Sequence, residues 1–259
     1  SVCSASQTSP APGGLEEAVA AASPAGKEDD RWRFSATPFL WAARFDASLE
    51  VKGRSAASTL SFGDVWDHLD VAGMLHLEAS RGRWSAFGEF LWVDLGADGT
   101  GPLGGEVDLS FTQAVANLNL GYRLLGDGAA PGGGAALPAS LEGYAGARYT
   151  RLHAKLDPAA AGSATGGLDW VDPVVGVRAR LDASPTLAFV LRGDVGGFGG
   201  RSDQSWYAQG GLHWRTSAAV SLELGWAILT QRYREGDEPD DLAVRTAMSG
   251  PFGGVTFRF

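Results

Sequence analysis

The chain has 259 residues, of which 44% are hydrophobic and 20% charged, and its formal net charge at pH 7 is −9. No stretch approaches the roughly 20 consecutive apolar residues that a membrane-spanning helix needs. The acidic balance argues against nucleic-acid binding. Cys3 is the single cysteine, so no internal disulfide can form. Val2 stands before it where a lipoprotein signal generally carries a small residue, which disfavours lipidation.

The first 30 residues differ in composition from the rest of the chain. They are rich in Ala, Ser, Pro, Gly and Glu and contain almost no large apolar residues. Such a segment cannot bury enough surface to offset the entropy cost of ordering it. We therefore expect residues 1–30 to form a disordered leader and residues 31–259 to form the folded domain.

From Arg31 onward, short runs of alternating apolar and polar residues recur between turn signals. The polar segment 43–68 separates the first two runs and includes a candidate hairpin at 47–62. The run at 106–124 changes parity, which predicts a bulge between Gln113 and Ala116. The predicted strands lie at 31–41, 69–79, 84–94, 106–124, 140–155, 171–182, 187–196, 206–215, 220–231 and 243–259.

The last run shows the alternation most clearly. Phe257 and Val255 lie on one side of the strand, and Arg258 and Thr256 lie on the other. A period of two lets one row face lipid and the other face the lumen of a barrel. The predicted fold class is therefore all-β, a transmembrane antiparallel up-and-down β-barrel of about ten strands over residues 31–259, with eight or twelve strands as alternatives.

Connections between the predicted strands alternate in length. The links after strands two, six and eight are tight, and those after strands one, three, five and nine are longer and polar. Short periplasmic turns and longer outer loops produce this asymmetry in bacterial barrels. The long connection 126–138 and the short link 200–203 are exceptions. Pro38 lacks an N–H and should mark a bulge or a break in strand pairing.

Aromatic residues stand at strand ends on the apolar face. Rings at both membrane–water interfaces anchor a barrel in its bilayer. A soluble barrel would show the same alternation, but its one small core would have to hold nine tryptophans. The predicted girdle near the short turns comprises Trp32, Trp84, Tyr122, Trp214, Phe257 and Phe259, and the girdle near the long loops comprises Trp92, Tyr149 and Trp206.

Four segments carry a family resemblance, namely Phe257-Arg258-Phe259, 249–254, 170–176 and 192–198. They resemble small single-chain outer-membrane β-barrels of Gram-negative bacteria, in the group that includes OmpA-like and OmpW-like surface proteins. The resemblance implies a place in the bacterial outer membrane, with both termini periplasmic. It also implies contact with outer-membrane lipids and lipopolysaccharide, and recognition of Phe257 and Phe259 by the barrel-assembly machinery as an insertion signal. It carries over no catalytic residues.

The polar rows of the predicted strands should line a narrow lumen. They carry both signs of charge, so we expect ion pairs and hydrogen bonds that fill the interior. Inward glycines such as Gly176 and Gly225 should leave some room. A lumen filled in this way predicts a structural or ligand-handling surface protein. A selective small-solute porin is the alternative. The predicted lumen residues are Glu78, Glu89, Arg123, Glu142, Arg148, Asp172, Arg178, Arg180, Arg192, Asp194, Arg215 and Glu223.

A hydrolase is the alternative from a different class, because outer-membrane proteases of the omptin type also use ten strands. The candidate side chains are scattered over several elements and match no omptin or phospholipase motif, so we expect no enzyme. The hydrolase candidates are Asp67, His68, Asp70, His153, Asp169 and Asp172.

No metal or other cofactor is expected either, since the acidic residues 237–241 lack the turn glycine of an EF-hand and no phosphate-binding loop occurs.

Overall fold

The computed structural model describes residues 31–51, 54–60, 69–100, 106–126, 139–158, 164–198, 202–235 and 242–259. The regular elements of these ranges are β-strands. No helix in this part of the chain is long and apolar enough to cross a lipid bilayer. The leader predicted at 1–30 lies outside the described residues.

The alternating runs of the sequence form twelve strands in the described residues. Tight turns join several of them. Gly82, for example, has a φ of 57° and lets the chain reverse within two residues between the fourth and fifth strands. The strands are β1 Arg33–Trp41, β2 Arg44–Val51, β3 Arg54–Leu60, β4 Leu69–Arg81, β5 Trp84–Thr100, β6 Glu106–Leu125, β7 Ala139–Pro158, β8 Ala164–Asp182, β9 Leu187–Gly196, β10 Ser202–Arg215, β11 Val220–Glu235 and β12 Leu242–Arg258.

Ten of these strands, β1 and β4–β12, form a closed antiparallel barrel. Pairing of β1 with β12 completes the ring, with Ala36 opposite Phe257. Beyond a short break, β2 continues along the other half of β12, and β3 pairs with β2. The predicted all-β barrel is confirmed, and the candidate hairpin at 47–62 is present as β2–β3.

Two details of strand pairing were predicted from single residues. The break expected at Pro38 occurs on the β12 side, where the β1–β12 pairs pass from Ala36 to Phe39, while Pro38 remains opposite Leu75 of β4. The bulge expected between Gln113 and Ala116 is wrong, because β5 and β6 pair without a register shift along their whole length. The parity change instead reflects apolar residues at inward positions, such as the buried Val115.

The outward face of the barrel carries an exposed apolar belt. On β8, the side chains of Val171, Val175, Val177 and Leu181 are each 38–55% exposed. A water-soluble fold would bury such a row, whereas a barrel in lipid must expose it. The row covers about the 9–11 residues that a membrane-spanning strand needs. This belt is the membrane-facing surface.

Aromatic residues border the belt on both sides. Toward the short turns, the exposed aromatic residues are Trp32, Trp84, Tyr122, Trp214, Phe257 and Phe259. Trp84 and Tyr122 pack edge to face, with ring centroids 4.9 Å apart. Toward the long loops, Trp92, Tyr149 and Trp206 are half-buried at positions that share the outward parity of their strands. The exposed Trp226 also lies on this face, although neither predicted girdle included it.

Candidate functional site

A cavity of about 910 Å³ lies inside the barrel. Its lining changes in character along the strands, from the short turns toward the long loops. Arginines surround the end near the short turns, mixed charges line the middle, and apolar side chains form the inner end. The arginines are Arg33, Arg123, Arg180, Arg215 and Arg258, which we call the arginine mouth; the apolar end comprises Trp41, Leu91, Val115, Leu229 and Phe252, which we call the roof.

The mixed charges begin with an ion-pair bridge across the lumen. Arg178 on β8 donates two hydrogen bonds to Glu78 on β4, at 2.8 and 2.7 Å. Its Nε also lies 2.9 Å from Oε1 of Glu142 on β7. Because β4 and β8 stand on opposite sides of the ten-stranded ring, this fork crosses the lumen. Ser85 donates a further hydrogen bond of 2.7 Å to Glu142.

A second bridge runs beside the first. Arg192 on β9 pairs with Glu89 on β5, again across the ring. Its Nε donates to the hydroxyl of Tyr144 at 2.9 Å. The fully buried ring of Phe87 lies between the two bridges, with its centroid 4.7 Å from the guanidinium carbon of Arg178 and 5.0 Å from that of Arg192. These distances allow cation–π attraction between the ring and both guanidinium groups.

Arg148 on β7 is the most deeply buried arginine of the described residues and is 1% exposed. Its Nη2 donates to Asp194 at 2.6 Å, its Nη1 to Ser205 at 2.6 Å and its Nε to Asn117 at 2.8 Å. Tyr144 donates to the other carboxylate oxygen of Asp194 at 2.9 Å. Each nitrogen of the guanidinium group therefore has a partner, which a charge inside a protein requires.

At the level of Arg148, the part of the lumen wall that carries no charged residues is apolar. The roof is part of a hydrophobic cluster that β1, β2, β5, β6, β11 and β12 contribute. Farther toward the long loops, Trp170 on β8 packs on Tyr233 of β11, with ring centroids 5.1 Å apart. Gln231 donates to Thr150 at 2.6 Å in the same region. We call these four side chains the outer layer, and they join opposite walls of the barrel.

All twelve predicted lumen residues lie on the inner face. Arg123, Arg180 and Arg215 are at the arginine mouth, whereas Asp172 is fully buried and accepts a hydrogen bond of 3.1 Å from Trp170. Glu223 approaches His213 at 3.0 Å and accepts a hydrogen bond of 2.9 Å from Thr256. The inner face therefore also carries neutral side chains, such as Trp170 and Thr256, which a search for charged residues alone does not find.

Two expectations about the interior are corrected. The inward glycines do not leave open room: a Cβ on Gly176 would stand 2.5 Å from the ring of Tyr144, and one on Gly225 would stand 2.7 Å from the ring of Phe252. The inner face is also not polar throughout. Leu91 and Val93 lie at inward positions of β5, as Glu89 does, and both are buried. Their spacing in the sequence could have predicted that part of the inner face is apolar.

The hydrolase candidates whose side chains the structure describes do not come together. Asp172 is buried inside the barrel, while His153 lies beside Trp92 and Arg151 on the outward face. Asp169 is exposed on that face as well. Asp67 and His68, and the side chain of Asp70, lie outside the described residues. Within the described ranges, no group of three or more His, Cys, Asp or Glu side chains could hold a metal ion.

Comparison with known proteins identifies the fold. No family model matches the sequence, and no curated protein is similar to it. The structure is similar to that of the outer-membrane protease OmpT of Escherichia coli, with a TM-score of 0.53, 10% identity and coverage of 89% of this chain and 97% of that one. Two other matches have lower TM-scores. Ail of Yersinia pestis has 0.35 at 12% identity, covering 88% and 98% of the two chains, and OprG of Pseudomonas aeruginosa has 0.34 at 13% identity, covering 90% and 97%. The chain therefore has the fold of a small Gram-negative outer-membrane β-barrel.

Proposed function

We propose that the protein is an integral outer-membrane barrel with a lumen that is closed part-way along its length. Such a protein acts as a structural or ligand-handling surface protein and does not act as a diffusion pore. The observation that carries the proposal is the interior of the barrel beyond the charged cavity. There, the bonded Arg148, the apolar roof and the outer layer occupy successive levels.

Closure follows from the energetics of these levels. Opening a path for ions past Arg148 would break a buried, fully bonded charge, which is far more costly than moving an exposed side chain. Opening the roof would place water against apolar side chains that now pack on each other. A spontaneous continuous water channel is therefore disfavoured, even though the cavity itself opens widely at the arginine mouth.

Planar-bilayer recording tests this proposal against a selective small-solute porin, which the size and charge of the cavity would favour. We expect flat traces for the unaltered protein. A variant with Arg148→Ala, Asp194→Ala and Trp170→Ala removes both members of the buried ion pair and one ring of the outer layer, and it should conduct. Trp226→Ala, on the outward face, is the matched control. Uniform, discrete conductance steps from the unaltered protein would overturn the proposal.

We also propose that both termini face the periplasm and that the barrel-assembly machinery reads Phe257 and Phe259. This orientation is supported by the position of the short turns on the same side as the start of β1 and the end of β12. Cys3 is the single cysteine and provides the test. A membrane-impermeant maleimide should label it only after the outer membrane is permeabilised, and equal labelling of intact cells would contradict the orientation.

Lipopolysaccharide and other outer-membrane lipids are the proposed membrane partners. Arg232 and Arg245 lie directly opposite each other on β11 and β12, on the outward face beyond the belt. Within the described residues neither forms an ion pair, and like charges in this position repel each other unless an anion lies between them. Added lipopolysaccharide should stabilise the protein against heat. An unchanged gain in the double variant Arg232→Gln, Arg245→Gln would refute this contact.

No hydrolysis is part of the proposal. An acid–base pair must share one reachable site, whereas Asp172 and His153 occupy opposite faces of the wall. The purified protein should leave peptide and phospholipid substrates intact. Cleavage that is lost on changing His153→Ala would require a different function.

A further inference from the structure

The arginine mouth concentrates positive charge at one end of the lumen. Its five members come from five different strands, β1, β6, β8, β10 and β12, and all of them line the cavity. Each lies close to the short-turn end of its strand. The backbone N–H of Arg123 donates to the carbonyl of Arg83 in the β4–β5 turn, and that of Arg215 donates to Thr186 in the β8–β9 turn. Arg33 and Arg258 lie near the start of β1 and the end of β12. The five guanidinium groups surround this end of the lumen, although the chain as a whole has a net charge of −9.

Most of these arginines have no carboxylate partner among the described residues. Arg180 pairs with Asp182 at 2.7 Å. Arg258 donates to His213 at 2.6 Å, and its Nη1 is buried with no hydrogen-bond partner in the part of the chain that the structure describes. Among the described residues, Arg33, Arg123 and Arg215 form no ion pair. This is unlike the middle of the cavity, where each arginine faces a carboxylate.

The arginines of the mouth also carry like charges. Arg180, Arg215 and Arg258 line the same end of the cavity, and like charges at one site repel one another. Deeper in the same cavity, Nη2 of the buried Arg192 likewise lacks a hydrogen-bond partner. Positive charges and unused hydrogen-bond donors that surround a cavity are the features of a site that binds an anion.

We propose that the arginine mouth binds a small organic anion that carries two or more phosphate or carboxylate charges. The ligand would enter from the short-turn side, place its charged groups at Arg215 and Arg258, and direct its remaining part toward the roof. The cavity volume of about 910 Å³ is in the range of small-molecule sites. The inference deepens the proposed ligand-handling function, and it rests on that function because a lumen closed beyond the site retains a ligand that an open pore would pass.

Calorimetric titration of the folded, full-length protein in a zwitterionic detergent tests the site, with inorganic pyrophosphate as the probe. The double variant Arg215→Gln, Arg258→Gln should bind pyrophosphate at least about tenfold more weakly, since two charge-assisted contacts are lost. Arg151→Gln is the matched control, because it removes an exposed arginine of β7 from the outward face near the long loops. Its affinity should stay within about twofold. Equal binding by the double variant, or no binding by the unaltered protein, would overturn the proposal.

A second measurement needs no variant. Phenylglyoxal modifies accessible arginines, and mass spectrometry locates the products. Pyrophosphate should protect Arg123, Arg215 and Arg258 while Arg151, on the outward face, continues to react. Protection that is equal at Arg151, or absent at the mouth, would overturn the site. Bilayer recordings separate the two proposals: flat traces without pyrophosphate binding refute only the anion site, and conductance steps with binding refute only the closed lumen.

Discussion

The two halves of the lumen use the same strands in different ways. Toward the short turns, inward positions carry charged side chains around an open cavity. Toward the long loops, they carry aromatic, aliphatic and amide side chains that contact the opposite wall. The difference shows that inward parity determines only that a residue meets the interior. Whether that interior is wet or packed depends on the residues from other strands at the same level.

Exposure separates the two halves energetically. In the open half, the side chains of Arg178 and Glu78 are 21% and 23% exposed, and those of Arg148 and Asp194 in the packed part are 1% and 0% exposed. If one member of the Arg178–Glu78 pair is removed, water can solvate the other member. Water cannot reach the Arg148–Asp194 pair. We therefore expect loss of a partner to cost more stability at Arg148 than at Arg178.

The largest expected effect is that of Arg148→Ala. It leaves the carboxyl group of Asp194 buried, with the hydroxyl of Tyr144 as its remaining close donor and Nη2 of Arg192 3.7 Å away. Breaking a buried pair in this way costs about 3 to 5 kcal/mol. Urea unfolding in detergent micelles measures the loss. Arg245→Ala, an exposed change, should shift stability by less than about 0.5 kcal/mol.

Removal of both charges sharpens this test. Arg148→Met with Asp194→Leu leaves no uncompensated charge, so most of the stability should return. A cost for Arg148→Ala as small as that of Arg245→Ala would mean that water reaches the packed part, and the contrast between the halves would be wrong.

Next in size is Trp170→Ala, which removes a buried ring that packs on Tyr233. The cavity it leaves should cost about 3 kcal/mol. Trp170→Phe keeps the ring contact and loses only the hydrogen bond to Asp172, so it should recover more than half of that cost. Thermal unfolding followed by unheated gel migration measures both variants. Equal losses for the two would show that the hydrogen bond, and not ring packing, stabilises this layer.

The smallest effect should come from Arg178→Gln in the open half. Glu78 and Glu142 each lose a charged partner, but water in the cavity can solvate them, so we expect about 2 kcal/mol. Arg178→Lys keeps the charge without the fork and should fall between Gln and the unaltered residue. A loss as large as that of Arg148→Ala would erase the distinction between open and packed halves.

Much of the architecture could be predicted from local patterns. Alternation along β5 identifies both of its faces, and the short links identify the hairpins, because side-chain direction in a strand follows from neighbouring residues. The bulge near Gln113 was a wrong prediction because it assumed that every inward position is polar. Val115 is apolar and inward, so no change of register was needed to bury it.

The sequence by itself determined that the chain forms a barrel, which residues face lipid and which charges point inward, since these properties repeat every two residues. Tertiary structure alone decided the partners: Arg178 bonds to Glu78 across 100 positions of the chain, and Trp170 meets Tyr233. It also decided that Arg215 and Arg258 form no ion pair with a carboxylate of the described residues at the mouth. Closure of the ring and the relative level of its strands create these contacts, and neither property is written in the alternation of a single strand.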